Sequence, residues 1–166
     1  MIRILNVIED TTVDGVGLRT AVYAAGCYHA CPGCHNPESW NMDNGTPTSI
    51  EEVLKRVLDD PFADVTFTGG DPMFQAKEFS ELARAIKEHS SKNIWCYTGY
   101  VFEQLLSMPD CRSLLEYVDV LVDGKFIHEL RDESLRFRGS SNQRIIDVQA
   151  SLHSEKTIIY DLNSIK

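Results

Sequence analysis

The chain has 166 residues, enough for one domain with a full hydrophobic core and no need of disulfide or metal staples. With 43% hydrophobic and 25% charged residues it has the composition of an ordinary globular protein. A net charge of −9 excludes nucleic-acid binding through a broad basic face, and no apolar run approaches the length of a membrane span.

The N-terminal stretch Met1-Ile2-Arg3-Ile4-Leu5-Asn6-Val7 soon meets Glu9 and Asp10 and has no secretory signal pattern. Arg19 to Ala25 is apolar, rich in β-formers, and ends at Gly26. Cys27, Cys31 and Cys34 come next in a loop, and Asn41 to Thr48, with Asn44-Gly45 and Pro47, reads as a turn region. A helix begins at Ser49, with Glu52 three residues on as a capping box, and Ile50, Val53, Leu54, Val57 and Leu58 recur at helical spacing. Val65 to Thr68 is a short buried strand stopped by Gly69-Gly70-Asp71-Pro72. Phe79, Leu82, Ala83 and Ile86 mark a second helix, and Ile94 to Tyr97 the next strand, ending in Thr98-Gly99. Val101, Phe102, Leu105 and Leu106 begin a third helix; Val118 to Val122 is a strand ended by Asp123-Gly124. Strands are expected also at Arg144 to Val148 and Thr157 to Tyr160.

Strands alternating with helices imply βαβ units and a largely parallel sheet in a single α/β domain spanning 1–166. In such sheets ligands bind at the carboxyl ends of the strands, where the cysteine loop, Gly69-Gly70-Asp71, Thr98-Gly99 and Asp123-Gly124-Lys125 would gather. An eight-unit barrel needs about 250 residues. The expectation is therefore a partial (βα) barrel of roughly five or six units.

The spacing C-x3-C-x2-C carries most of the chemistry. Three thiolates are one short of filling a four-iron cluster, which leaves one iron open to a substrate. Zinc is the rival occupant, with His29 or His35 as fourth ligand. A redox dithiol at Cys31-Pro32-Gly33-Cys34 is the third reading, and that motif should open a helix. Five cysteines, odd in number and three of them clustered, are not a disulfide framework. That usage points to a cytoplasmic protein, whose thiols stay reduced. Cys96 and Cys111 read as small hydrophobes. Residues 125–144 hold five cations against three acids, a balance of +2 where the remainder carries −11. That segment is either a docking surface for an acidic partner or a solvated face.

The cysteine loop after a first strand, with a Gly-Gly-acid loop after the second, resembles the radical S-adenosylmethionine superfamily. Cys34-His35-Asn36-Pro37-Glu38-Ser39-Trp40 is similar to the activating enzymes of glycyl-radical proteins. Further stretches narrow the likeness: Gly69-Gly70-Asp71-Pro72, Trp95 to Tyr100, Val118 to Phe126, and Phe137 to Arg144. Together they resemble the activators of anaerobic (class III) ribonucleotide reductases, from about Asp14 to Val148.

The resemblance implies that Cys27, Cys31 and Cys34 bind three irons of a [4Fe–4S] cluster, with S-adenosylmethionine on the fourth. It implies reductive cleavage to methionine and a 5′-deoxyadenosyl radical, which takes a hydrogen atom from a glycine of the reductase large subunit. Reduced flavodoxin or a similar one-electron donor is implied as well. Gly69, Gly70 and Asp71 would contact the methionyl amino group, and Asp123 and Lys125 would lie near the cosubstrate, with Thr98 and Gly99 beside them. Arg138 to Asn142 would touch either the cosubstrate or the partner. Gly33 stands where many relatives carry an aromatic residue near the adenine, which leaves Tyr28 as a neighbouring candidate. His29 and His35 flank the cluster, where a hydrogen bond would tune its potential. Two rivals stand beside this reading: an activator of another glycyl-radical enzyme of the pyruvate formate-lyase type, and a non-catalytic metal module that docks on a larger protein.

Overall fold

A computed structural model describes residues 1–34 and 36–164. In chain order the strands are β1 (Ile2–Thr11), β2 (Arg19–Ala24), β3 (Thr46–Thr48), β4 (Asp64–Gly69), β5 (Ile94–Tyr97), β6 (Val120–Asp123) and β7 (Arg144–Asp147). Helix α1 (Ile50–Asp59) precedes β4 and α2 (Ala76–His89) follows it. Helices α3 (Phe102–Leu105) and α4 (Pro109–Leu115) join β5 to β6, and α5 (Val148–Ser154) follows β7.

All seven strands form one sheet in the order β3-β1-β2-β4-β5-β6-β7. β2, β4, β5 and β6 run parallel, while β1, β3 and β7 pair antiparallel with their neighbours. The sheet is thus parallel at its centre, where the expected strand–helix units lie, and antiparallel at both flanks. Ser49 caps α1, its Oγ accepting from the Glu52 N–H at 3.1 Å.

β3, α4 and α5 are additions to the sequence expectation, and two further differences lie near the chain ends. β1 buries Ile2, Ile4 and Val7, and a register shift between Ile4 and Asn6 breaks the period of two that marks a strand. Thr157 to Tyr160 contributes a single bridge, Ile146 to Ile159, instead of a strand.

Alternation along the parallel strands divides the core in two. Val65, Phe67, Ile94, Cys96 and Leu121 face the helices, with Phe67 edge-on to Phe79 at 4.9 Å. Cys111 belongs to the same layer, so Cys96 and Cys111 are both packing residues. On the other face Trp95, Val120, Val122 and Ile145 gather Phe137, Tyr160 and Leu162 from the chain beyond β6. Arg19 lies buried there, donating to Thr66 Oγ1 at 2.8 Å, Val65 O at 2.7 Å and Asn93 Oδ1 at 2.9 Å. Its guanidinium sits 5.5 Å from the Trp95 ring centre. Burial lowers its pKa to about 10. No helix among the described residues is long and apolar enough to cross a membrane.

Replacing Ser49 by alanine removes the acceptor that satisfies an orphan N–H of α1 and should destabilise the protein by ~1 kcal/mol in urea titrations.

Candidate cofactor site

The cysteine loop leaves β2 through Gly26, whose φ of +97° turns the chain out of the sheet. Its base is closed by the Gly26 N–H on Ser39 O at 2.7 Å and the Cys27 N–H on Trp40 O at 3.1 Å. At its tip the Cys34 N–H reaches Cys31 O at 3.1 Å across Pro32 and Gly33, and Gly33 has φ +78°. Proline followed by a positive-φ glycine is the chemistry of a type II turn.

Each cysteine sulfur faces one backbone N–H: Cys27 that of His29, Cys31 that of Phe126, and Cys34 that of Asn36 at 3.5 Å. Burial pushes the Cys27 thiol up to about 11, reinforced by the Asp71 carboxylate, and burial raises Cys31 as well. The Lys125 ammonium opposes the rise at Cys31, which places that charge near the loop although Lys125 is exposed.

All three thiols line one cavity of about 350 Å³ at the carboxyl ends of the parallel strands. Gly69, Gly70, Asp71, Thr98 and Gly99 line it too. Gly124, Phe126, Gly139 and Gln143 of the segment after β6 line it as well, and His29, Asn36, Thr68, Asp14, Tyr23 and Tyr97 complete the lining. Its volume falls within the ~300–1,000 Å³ usual for small-molecule sites. A wider groove of about 510 Å³ runs past Cys27, Tyr28, Trp40 and Met42, and it holds one of the three thiols. Tyr28 belongs to that groove, 74% exposed, and packs edge-on to Phe74 instead of lining the thiol cavity.

The donor set separates the possible occupants. Among the described residues no three His, Cys, Asp or Glu side chains stand close enough to hold a single metal ion. His29 spends its Nε2 on Asp71 at 2.7 Å, and His35 lies outside the described residues. A four-iron cluster takes one thiolate per iron, so its ligands need not converge on one point. Hydrogen bonds to the sulfurs are among the features that set a cluster's potential, and each thiol here has one to hand. Cys31 and Cys34 precede the 3-10 turn Pro37–Trp40 rather than an α-helix, which removes the helix N-terminus that a redox dithiol requires. The residues fit a cluster bound by three cysteines.

The two glycines before Asp71 answer to the chain's own backbone. A Cβ at Gly69, where φ is +101°, would lie 2.5 Å from Ala24 N, and one at Gly70 would lie 2.5 Å from Gly26 O. The loop therefore docks directly on the start of the cysteine loop, with the Asp71 N–H on Gly26 O at 2.8 Å. The Asp71 carboxylate is buried. Its Oδ2 accepts from His29 Nε2 at 2.7 Å, Thr98 Oγ1 at 2.9 Å and the Gly99 N–H at 2.9 Å, and its Oδ1 from the Met73 N–H at 2.9 Å.

Comparison with known proteins agrees with this architecture. Residues 13–146 match the family model described as a 4Fe-4S single cluster domain. A curated protein of Enterobacteria phage T4 is 37% identical over 139 residues, covering 80% of this chain and 86% of its own length. Relatives from Haemophilus influenzae and Escherichia coli K12 are 36% and 35% identical, over 80% and 79% of this chain and 90% and 89% of their own lengths. All three are named anaerobic ribonucleoside-triphosphate reductase-activating protein. The chain belongs to this family of activating proteins.

Two residues that the family resemblance places near the cosubstrate, Asp123 and Lys125, do not line the cavity. Asp123 is buried and accepts from Arg144 Nε at 3.1 Å, Arg144 Nη2 at 2.5 Å and the Phe102 N–H at 2.8 Å. It fixes the end of β6 to β7 and to the start of α3. Lys125 O accepts from Asn142 Nδ2 at 2.8 Å, and Gln143 Nε2 donates to Gly124 O at 3.0 Å. The 138–142 segment is thereby stitched along the turn after β6, with Gly139 and Gln143 facing the cavity. Asp14, Tyr23 and Tyr97 are lining residues that sequence reasoning missed. Tyr23 OH donates to Asp14 Oδ2 at 3.3 Å, and burial followed by that carboxylate raises its pKa to about 12.

Arg144 also pairs with Glu103 at 2.7 Å. Hydrogen bonds from Arg144 and then from Thr157 hold the Glu103 carboxyl down at about 2. A carboxylate depressed on folding stabilises the protein above its ordinary pKa of ~4.3 and loses that contribution as the pH falls through the folded value. Glu103 is more than half exposed, so solvent screening holds its contribution below ~1 kcal/mol. Urea titrations should show Glu103→Gln less stable than the parent at pH 7, with the gap closing as the pH falls from about 4.3 to 2.

Proposed function

We propose that this chain is a radical S-adenosylmethionine activase, which installs a glycyl radical on an anaerobic ribonucleotide reductase. The observation that carries the reading is the set of three thiols, each facing a backbone N–H, in one cavity with a glycine-rich strand-end loop. Its relatives are named for activating that reductase, which favours this target over a pyruvate formate-lyase.

On this reading Cys27, Cys31 and Cys34 hold a [4Fe–4S] cluster. When bound, the cluster supplies one electron and one iron open to the cosubstrate. The sulfonium bond of S-adenosylmethionine breaks to methionine and a 5′-deoxyadenosyl fragment, which takes a hydrogen atom from a glycine α-carbon of the partner. The products are 5′-deoxyadenosine, methionine and the glycyl radical. A reduced flavodoxin or similar cytoplasmic donor delivers the electron.

The chain's own residues bind, orient and exclude water. Gly69, Gly70, Thr98 and Gly99 form the wall against which the methionyl end rests. Lys125 offsets the negative charge of the thiolates from the side of Cys31. Asp123 acts at one remove, holding the β6 turn through Arg144. The four central parallel strands are the part of the partial barrel that brings these loops together.

After anaerobic reconstitution with iron and sulfide and reduction with dithionite, addition of S-adenosylmethionine and the reductase should yield 5′-deoxyadenosine and methionine. Electron paramagnetic resonance should show a glycyl radical on the reductase, and Cys31→Ala should abolish all three signals. A brown protein that leaves S-adenosylmethionine intact even with the reductase present would instead be a docking module. A radical that appears only on pyruvate formate-lyase would move the target.

A further inference from the structure

We propose that His29 and Asp71 act as one positioning unit, which fixes the cysteine loop against the strand ends lining the cavity, and that Asp71 is not a ligand of the cosubstrate. The second half rests on reading that cavity as the cosubstrate's site.

The argument starts from the carboxylate. An ionised aspartate offers about four lone-pair sites and no donor. Asp71 receives four donors, from His29, Thr98, Gly99 and Met73. It is 1% exposed. Oδ2 takes three of these donors and Oδ1 one, and with the carboxylate 1% exposed the remaining lone pair of Oδ1 is out of reach of an incoming ammonium group in this arrangement. The carboxylate instead joins three parts of the chain: the cysteine loop through His29, the end of β5 through Thr98 and Gly99, and its own turn through Met73.

His29 is built into the same joint. It lies between Cys27 and Cys31, its side chain is 7% exposed, and Nε2 donates to Asp71 because a carboxylate only accepts. Tyr100 stands edge-on at 4.7 Å and Phe74 at 5.4 Å, so the ring is boxed on its flanks. Gly99 closes the box, since a Cβ there would lie 2.5 Å from the His29 ring. The next residue, Ala30, has φ +50°, a conformation that an L-residue keeps only where its surroundings over-determine it. The loop is thus held by this contact before any metal arrives, and the thiols are placed relative to the wall formed by Thr98 and Gly99.

The test is a cycle of His29→Ala, Asp71→Asn and the double variant, each first checked by circular dichroism. In the metal-free full chain, either single variant should speed labelling of the loop thiols by an aromatic disulfide reagent roughly tenfold. After cluster loading, kcat for S-adenosylmethionine cleavage should fall roughly 10–100-fold, as for other groups that orient ligands from behind, with KM nearly unchanged. The double variant should be no worse than the worse single one, because both remove the same joint. A raised KM in Asp71→Asn with unchanged labelling would make Asp71 a direct ligand, and additive losses would mean that the two residues do not act together. Should Asp71→Asn fail to fold, Gly99→Ala takes its place. In the labelling assay it should mimic His29→Ala and have no further effect once the ring is gone; an independent effect on labelling overturns the proposal. The labelling arm needs no cosubstrate, so it separates failure of this inference from failure of the proposed reaction.

Discussion

A buried carboxylate that must be satisfied organises the cavity. Asp71 is removed from water at the end of β4, and an unpaired charge there would be strongly destabilising. Four donors meet it, and three of them come from chain segments remote in sequence, His29, Thr98 and Gly99. The parallel sheet explains why these can converge: β2, β4 and β5 are adjacent and point the same way, so the loop leaving each strand arrives at one edge. Glycine is required at 69, 70 and 99 for the same reason, because the segments close on one another more tightly than a Cβ allows.

Around this joint the surroundings favour the neutral thiol at Cys27 and Cys31. Burial raises Cys27 and Cys31, and the nearby Asp71 adds to the rise. Neutral thiols do not repel one another, so Cys27 and Cys31 share a cavity without charge repulsion between them. Bound metal would reverse the preference, because a cation at these sulfurs favours thiolates and releases the protons. The backbone N–H groups of His29, Phe126 and Asn36 then face negative sulfur without any side chain having to move in.

The parts of this site legible in the sequence were those with local chemistry. The spacing of Cys27, Cys31 and Cys34, the punctuation at Gly69-Gly70, and the cap at Ser49 each depend on neighbours within a few residues. The hidden parts depend on distant partners. Asp123 reads as a site residue beside Gly124 and Lys125, but Arg144, twenty-one positions later, holds both of its oxygens. His29 reads as a flanking histidine until Asp71, forty-two positions on, is seen to receive it. Asp14 precedes β2, which topology rules would assign to the far edge of the sheet, and yet it lines the cavity with Tyr23 and Tyr97. β1 was concealed by its own bulge.

The connection from β6 to β7 is the other half of the site, and its length bears on the proposed reaction. Connections of more than about 12–15 residues without regular structure are uncommon in compact domains and are usually functional. This one runs from Gly124 to Gln143 and holds only the short turn His128–Leu130 and, among the described residues, an isolated antiparallel bridge between Arg131 and Ser140. Side-chain amides tie its ends together, while Phe137 anchors its middle on Trp95 at 5.3 Å. One wall of the cavity is therefore sheet edge, and the other is this connection, whose two limbs are bonded to each other by the Ser141 N–H on Leu130 O at 2.9 Å and the Asp132 N–H on Gly139 O at 3.2 Å. The seven described strands follow one another from β3 to β7 in a single sheet, short of the closed ring of an eight-unit barrel. An enzyme acting on a small molecule would have to supply the missing enclosure itself. On the proposed reaction the target glycine lies on a large partner, which would supply that enclosure and exclude water where the two surfaces meet.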